Sequence, residues 1–423
     1  MTAPLDPDPR NAVSPAPMDT PNLNILLLEN IHAVARQALE NQGHRVATTG
    51  ASLKEDELIA RINAERIDIL GIRSRTQVTA RVFESCPSLV ALGAFCIGTN
   101  QIDLEAAGTA GVAVFNAPFS NTRSVAELVI AEIVMLSRQL GDRTREMHQG
   151  QWRKVATGSN EVRNKTLGIV GYGHIGRQVG VLAEMMVMRV VFHDIVQRLP
   201  MGNNRSADSL EELLDVSDFV TLHVPETPLT FRMIAAPQLA AMKKGARLIN
   251  ASRGTVVDIP ALASALASGH IGGAAVDVFP VEPEANSSDD FRSELQGLPN
   301  VVLTPHIGGS TSEAQENIGR EVAGSLLRYL ASGSTTGSVS FPDVDLPRMP
   351  NTHRLVHVHK NVPGVLGDVN RIIAARSANI LAQVLGTNAR IGYVIIDFDA
   401  PVAEDICTDL TGLTATIRAR ALA

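Results

Sequence analysis

The sequence predicts an α/β protein built on parallel sheets, and three observations carry that expectation. Short apolar runs alternate with helical periodicity from Asn22 to about residue 330. Aromatic residues make up only 4% of the chain beside 33 glycines, so Ala, Val, Ile and Leu must fill the core between many tight turns. A glycine-rich turn, Gly171-x-Gly173-x-x-Gly176, joins an apolar strand to a helix. With 423 residues the chain has room for two or three domains.

Taken in order, residues 1–21 hold six prolines (Pro4, Pro7, Pro9, Pro15, Pro17, Pro21) among small and acidic residues, a composition expected to stay disordered. NILLLEN, HRVATT and DILGIRS then read as strands, separated by helices over 31–41 and 54–64. LVALGAF and VAVFNAP follow, and a helix is expected over Ser124 to Arg138. A second series runs LGIVGYGHIG, RVVFHD, DFVTLHVP, RLINASRG, GGAAVDVFP and VVLTPHIGG. Its near-continuous Val, Ile and Leu mark strands buried on both faces. After a helix over Ser310 to Leu330, the Ser, Gly, Thr and Pro of 331–351 read as a linker. The last 70 or so residues read βαββαβ, a small ferredoxin-like module.

Charge and cysteine content narrow the function. The chain has 37 Lys and Arg against 44 Asp and Glu, a net charge of −7, which disfavours diffuse binding to nucleic acid or an anionic membrane. Any anionic ligand must be held by a few placed groups. Three separated cysteines, Cys86, Cys96 and Cys407, suit neither a disulfide framework nor a metal cage and suggest a reducing compartment, by default the cytoplasm. No apolar run reaches the roughly 18 residues needed to span a bilayer, and no secretory leader is expected.

The strongest chemical signal is the glycine triplet. Gly171 allows a tight turn, Gly173 lets backbone approach a pyrophosphate, and Gly176 lets helix pack on strand. The next strand ends in Asp194, 18 residues after Gly176, where a carboxylate accepts bonds from a ribose and repels a 2′-phosphate. That favours NAD over NADP. Three more residues follow strand ends of the same sheet: Arg253 after LINAS, Glu282 after VDVFPV and His306 after VLTP. Each alone reads equally as a loop charge or a cap. Together they form a mechanism, in which an imidazole takes a hydroxyl proton, a glutamate holds its tautomer and an arginine clamps a carboxylate. Such a trio suits a 2-hydroxy acid dehydrogenase.

GYGHIG, NASRGTVVD, AAVDVFPVEP and LTPHIGGST, with FCIGTNQID and NAPFSNTRSVAELVI earlier, closely resemble the D-isomer-specific 2-hydroxy acid dehydrogenases. Within them the resemblance is to the phosphoglycerate-oxidising branch with a C-terminal ACT domain, and it covers about residues 22–423. It implies a Rossmann-type doubly wound nucleotide domain, 122–308, inserted in a flavodoxin-like substrate domain, 22–121 and 309–340. A linker at 341–351 and a ferredoxin-like ACT regulatory domain at 352–423 would follow. The catalytic groups carry over to Arg253, Glu282 and His306. NAD contacts carry over to Gly171, Gly173, His174, Ile175, Gly176, Asp194, Ala251, Ser252, Arg253, Asp277, His306, Ile307, Gly308 and Gly309.

The substrate implied is 3-phosphoglycerate, its carboxylate and phosphate met by Arg73, Ser74, Arg75, Asn121 and Lys154. Without the resemblance these residues read as surface charges. Reduction of 2-oxoglutarate is an implied side activity. The ACT module implies L-serine as effector, held by His359, Asn361 and, from another subunit, Asn379; oligomerisation alone is the competing reading. Pairing through nucleotide and ACT domains implies a homotetramer. Another D-2-hydroxy acid, or an NAD-sensing corepressor resembling CtBP, stays open as an alternative. Among residues outside the site, His353 and His357 are expected to serve packing or solvent, and Met185, Met186 and Met188 to fill core.

Overall fold

The computed structural model describes residues 22–283 and 291–422, so the proline-rich tail lies outside the described residues. Two compact units emerge, one from the segments up to Pro118 and from Glu316 onward, the other from Phe119 to Gln315.

In the first unit, strands β1 (Asn24–Leu27), β2 (Arg45–Thr48), β3 (Ile69–Ile72), β4 (Ala91–Ala94) and β5 (Ala113–Asn116) alternate with helices α1 (Ala33–Glu40), α2 (Glu55–Glu65), α3 (Ala80–Ser85) and α4 (Leu104–Thr109). The strands are parallel in the order β2-β1-β3-β4-β5, the flavodoxin-like arrangement with its direction reversal between β1 and β3. Both sheet faces are covered, which is why the inner strands β1, β3 and β4 are almost wholly apolar, whereas edge strand β2 has exposed ends at Arg45 and Thr48. Ile25, Leu27 and Ile69 enter one core, and Leu26, Leu70 and Ile72 the other.

The second unit holds α5 (Thr122–Arg138), α6 (Leu140–His148), β6 (Thr166–Val170), α7 (His174–Met185), β7 (Arg189–His193), β8 (Arg205–Ser206), α8 (Leu210–Val216) and β9 (Phe219–Leu222). It continues with α9 (Ala236–Ala241), β10 (Ala246–Asn250), α10 (Ile259–Ala267), β11 (Ile271–Val276) and β12 (Val301–Leu303). All seven strands are parallel, ordered β12-β11-β10-β9-β6-β7-β8. The chain runs outward from β6 to β8 and returns to place β9 against β6 from the other side. Ligands of such sheets bind beyond the strand ends at that switch point.

After α11 (Ser312–Ser332), the C-terminal module comprises β13 (His353–Lys360), α12 (Val365–Ala375), β14 (Ile380–Thr387), β15 (Ile391–Phe398), α13 (Ala403–Leu410) and β16 (Thr416–Leu422). Its sheet is antiparallel in the order β14-β15-β13-β16, the expected ferredoxin-like βαββαβ. Leu355, Val394 and Ile396 pack one face under α12 and α13. Val356, Val358, Tyr393 and Ile395 on the other face join the core that contains Val322, Leu326 and Phe115.

The stretch 331–351 therefore differs from a solvated linker. Ser334 and Thr335 are buried, and Phe341 and Val344 belong to the shared core. Ser340 Oγ accepts from Val114 N at 2.9 Å and donates to Val112 O at 3.0 Å, and Val339 N donates to Val114 O at 2.8 Å. The small polar residues that suggest flexibility here satisfy the outer edge of β5. Nearby Arg354 and Asp397, both 0% exposed, form a bidentate pair at 2.6 and 2.7 Å. The other guanidinium donors reach the carbonyls of Ser332, Leu346 and Pro347. Of the methionine cluster only Met188 is fully buried. Met185 is 78% exposed, because it ends α7 on the face turned from the sheet.

Candidate functional site

The glycine turn lies between β6 and α7, beside the end of β9. Gly171 has φ +90°, and a Cβ there would stand 2.4 Å from the carbonyl oxygen of His223, which follows β9. A Cβ on Gly176 would meet the Gly171 carbonyl at 2.3 Å, so the turn folds back on its own helix only with hydrogen at both positions. Gly173 is the contrast, since a Cβ there would meet nothing within 4 Å. That open side is where a pyrophosphate fits. Gly173 caps α7 without a side-chain bond, leaving the amides of His174 and Ile175 at a helix N-terminus to meet phosphate. Asp194 stands after β7, its Oδ2 accepting from Tyr172 N at 2.9 Å. Its Oδ1 accepts from Val196 N at 2.9 Å, and Arg198 Nε lies 3.4 Å away. The carboxylate is thus fixed beside the glycine turn, as ribose recognition requires. This cradle fits a dinucleotide.

The trio follows the ends of β10, β11 and β12. His306 Nδ1 lies 2.8 Å from Glu282 Oε2. A carboxylate only accepts, so Nδ1 carries the hydrogen and Nε2 presents its lone pair away from Glu282. The bond His306 donates to Glu282 is the main cause that raises the His306 pKa above the ordinary histidine value, against burial, which lowers it. Burial alone would raise Glu282. The bonds from His306 and from Phe279 N–H, with the charges of His306 and Arg253, outweigh it and leave the carboxyl below its usual range. Arg253 thus stands near enough to act on both. Its Nη1 donates to Ser252 O at 2.7 Å, and its backbone is pinned by Asn250 Nδ2 on Arg253 O at 3.0 Å.

His306 sits at φ +52°, an uncommon conformation for a residue with a Cβ. Asp277 over-determines it. The Asp277 carboxylate accepts from Thr304 Oγ1 at 2.6 Å and from Ile307 N and Gly308 N at 2.8 Å each, while its carbonyl accepts from His306 N at 2.8 Å. Asp277 enters the sequence reading as a cofactor contact; in the structure it also straps down the histidine loop. Ser124 Oγ on α5 donates to Gly308 O at 2.6 Å, and Gly309 leaves room for Asn121, whose amide nitrogen would lie 2.6 Å from a Cβ there. Thr304 and Ser124 escape the sequence reading. Both lie inside the motifs LTPHIGGST and NAPFSNTRSVAELVI, but a hydroxyl whose partner is a distant loop carries no spacing signal of its own.

Of the expected substrate residues, Asn121 and Lys154 belong to the second unit, as do Arg253, Glu282 and His306. Arg73, Ser74 and Arg75 belong to the first, where they follow β3 at that sheet's own switch point. In the C-terminal module His359 is buried at the end of β13, with Nδ1 2.8 Å from Lys360 O. Asn361 beyond it donates to Asn388 O at 2.7 Å. Asn379 precedes β14, whose Ile380 pairs Phe398, whereas His359 pairs Gly392. Six residues of β15 separate those registers, about 20 Å at 3.4 Å per residue. Within one chain, Asn379 and His359 lie at opposite ends of the sheet. His357 is buried, its ring bonded to Thr416 Oγ1 at 2.9 Å, and His353 is exposed at the strand start.

Comparison with known proteins agrees with this architecture. The NAD binding domain of the D-isomer specific 2-hydroxyacid dehydrogenases matches residues 130–308, and the AHAS small subunit-like ACT domain matches 355–418. A D-3-phosphoglycerate dehydrogenase from Dictyostelium discoideum is 51% identical over 400 residues, 95% of this chain and 97% of its own. The enzyme of that name from Escherichia coli K12 is 50% identical over 407 residues, 96% and 98% of the two chains. Among solved structures, a D-lactate dehydrogenase from Sporolactobacillus sp. matches with a TM-score of 0.64 at 31% identity, over 75% of this chain and 99% of its own. An NAD-complexed D-isomer specific 2-hydroxyacid dehydrogenase from Lactobacillus delbrueckii ssp. bulgaricus matches at 0.62 and 26% identity, over 72% and 96%. Among the described residues no helix is long and apolar enough to cross a membrane. The chain belongs to the D-isomer-specific 2-hydroxyacid dehydrogenase family, as an NAD-dependent oxidoreductase carrying a C-terminal ACT domain.

Proposed function

We propose that the chain oxidises 3-phospho-D-glycerate to 3-phosphohydroxypyruvate with NAD, the entry to L-serine biosynthesis. The observation that carries this reading is the His306–Glu282 pair at 2.8 Å beside a dinucleotide cradle, in a chain about half identical to D-3-phosphoglycerate dehydrogenases along its length. Nε2 of His306 takes the C2 hydroxyl proton. Glu282 keeps the ring in the accepting tautomer and balances the imidazolium that forms. Arg253 orients the substrate carboxylate and polarises the C2 oxygen. Bound NAD supplies the acceptor for the hydride that leaves C2. Reduction runs the same residues backward, with His306 as the acid, and makes 2-oxoglutarate a candidate side substrate.

Arg73, Ser74, Arg75, Asn121 and Lys154 are assigned to the substrate's carboxylate and phosphate. Bidentate guanidinium donors suit a dianion in a chain whose net charge is −7. Arg75→Ala is expected to raise KM for the phosphorylated substrate at least tenfold while moving KM for pyruvate less than threefold. Equal effects on both would end the phosphate assignment.

L-serine is assigned to the ACT module at His359 and Asn361, with Asn379 from a second copy. The opposite-end placement of Asn379 within one chain supports that division. A cytoplasmic homotetramer paired through nucleotide and ACT domains is part of the same reading. One assay tests it: NADH oxidation with 3-phosphohydroxypyruvate, pyruvate and 2-oxoglutarate, repeated with rising L-serine. The phosphorylated substrate should give the highest kcat/KM, and serine should lower the rate. Preference for pyruvate would point to another D-2-hydroxy acid, and serine indifference would reduce the ACT module to an oligomerisation unit.

A further inference from the structure

The strand order of the first sheet reverses between β1 and β3, and the end of β1 carries polar residues that the reaction itself leaves unused. Glu29 and Asn30 follow β1 in consecutive left-handed conformations, φ +61° and +54°, in residues that have a Cβ. Such backbone costs on the order of 1 kcal/mol per residue and persists where surrounding structure demands it. Here it turns the Glu29 side chain under the loop after β3. The side chain is 1% exposed. Its Oε1 accepts from Thr76 N at 2.8 Å, its Oε2 from Arg75 N at 3.1 Å, and Arg75 Nε lies 3.7 Å from Oε2. The other end of the loop is held from β4's side. Gln101, buried, donates from Nε2 to Arg73 O at 2.6 Å, with Gly98 O at 3.3 Å and Cys96 Sγ at 3.4 Å around the same nitrogen.

A buried carboxylate under a loop of two arginines looks adverse for anion binding until the donors are counted. The carboxylate engages two backbone amides and one face of Arg75. Ser74 stays exposed, and so do about a third of the Arg75 side chain and part of Arg73. With the backbone fixed from both sides, the guanidinium groups project from a rigid base, and little ordering is left to occur when an anion arrives.

We propose that Glu29 and Gln101 are positioning residues for the Arg73–Arg75 loop and set affinity for the phosphorylated substrate without entering the proton transfer. The inference rests on the reading of that loop as the phosphate-binding element. Glu29→Gln keeps the volume but turns an amide NH2 toward a backbone N–H. It is expected to raise KM for 3-phosphoglycerate at least tenfold, with kcat and KM for NAD held within twofold. Gln101→Leu removes the donor at the loop's other end and should show the same split more weakly. It also reads the effect if Glu29→Gln fails to fold. Arg73→Ala, measured in parallel, separates the two levels. If Arg73→Ala raises KM while Glu29→Gln and Gln101→Leu leave it within twofold, the positioning role is overturned and the loop assignment stands. If Arg73→Ala leaves KM unchanged, the loop assignment itself falls. Loss of kcat matching the rise in KM in both positioning variants would assign them a general structural role and overturn the inference.

Discussion

His306→Ala is expected to lower kcat for 3-phosphoglycerate oxidation by roughly 100- to 10,000-fold, the range of a lost general acid-base group. KM for NAD should change far less than kcat, since the cradle at Gly171–Gly176 does not depend on the imidazole. The pH profile supplies a second reading of the same residue. Oxidation needs Nε2 unprotonated, and Glu282 raises the His306 pKa above the ordinary value of about 6.5. The acid limb of kcat/KM should therefore lie above pH 6.5, with activity rising as pH rises through it. Reduction needs the imidazolium and should fall over the same interval. Glu282→Gln removes the charge that raises the pKa, so the acid limb should move to lower pH while kcat drops. Retained turnover in His306→Ala, or an unmoved limb in Glu282→Gln, would remove the pair from the chemistry.

Asp397→Ala is expected to destabilise the first unit by about 3–5 kcal/mol, because it leaves the Arg354 guanidinium buried without its counter-charge. For a unit of this size that corresponds to a fall in Tm of roughly 6–20 °C by calorimetry. Replacing both partners together, Arg354→Met with Asp397→Leu, should recover much of the loss, since an apolar pair of similar volume avoids desolvation. The carbonyls of Ser332, Leu346 and Pro347 would then lack their donor, so recovery should be incomplete. A single variant with unchanged Tm would show that the pair contributes little.

Much of this was legible in the sequence because some residues admit few environments. Continuous Val, Ile and Leu in LGIV and RLIN mark strands covered on both faces, and Gly171 and Gly176 occupy positions where any Cβ collides with backbone. Arg253, Glu282 and His306 were legible as a set because each lies within a few residues of a strand end of one parallel sheet. Glu29 was not, although it ends the apolar run ILLLEN, since nothing local tells a buried clamp from a surface charge. The packing of 331–351 was hidden for the opposite reason. Serine and threonine read as solvated until a strand edge offers their hydroxyls partners, and the partners, Val112 and Val114, lie more than 220 residues away.

Those bonds to β5 bear on how the chain is protected from its neighbours. β5 is an outer strand of the first sheet, and an open parallel edge invites another molecule to pair with it. Ser338, Val339 and Ser340 occupy that edge in place of a further strand. A chain shortened just after α11 would lose the C-terminal ACT module and also uncover this edge. Poor solubility of such a truncation would then report an exposed template for aggregation, and a cut placed after residue 346 would spare it.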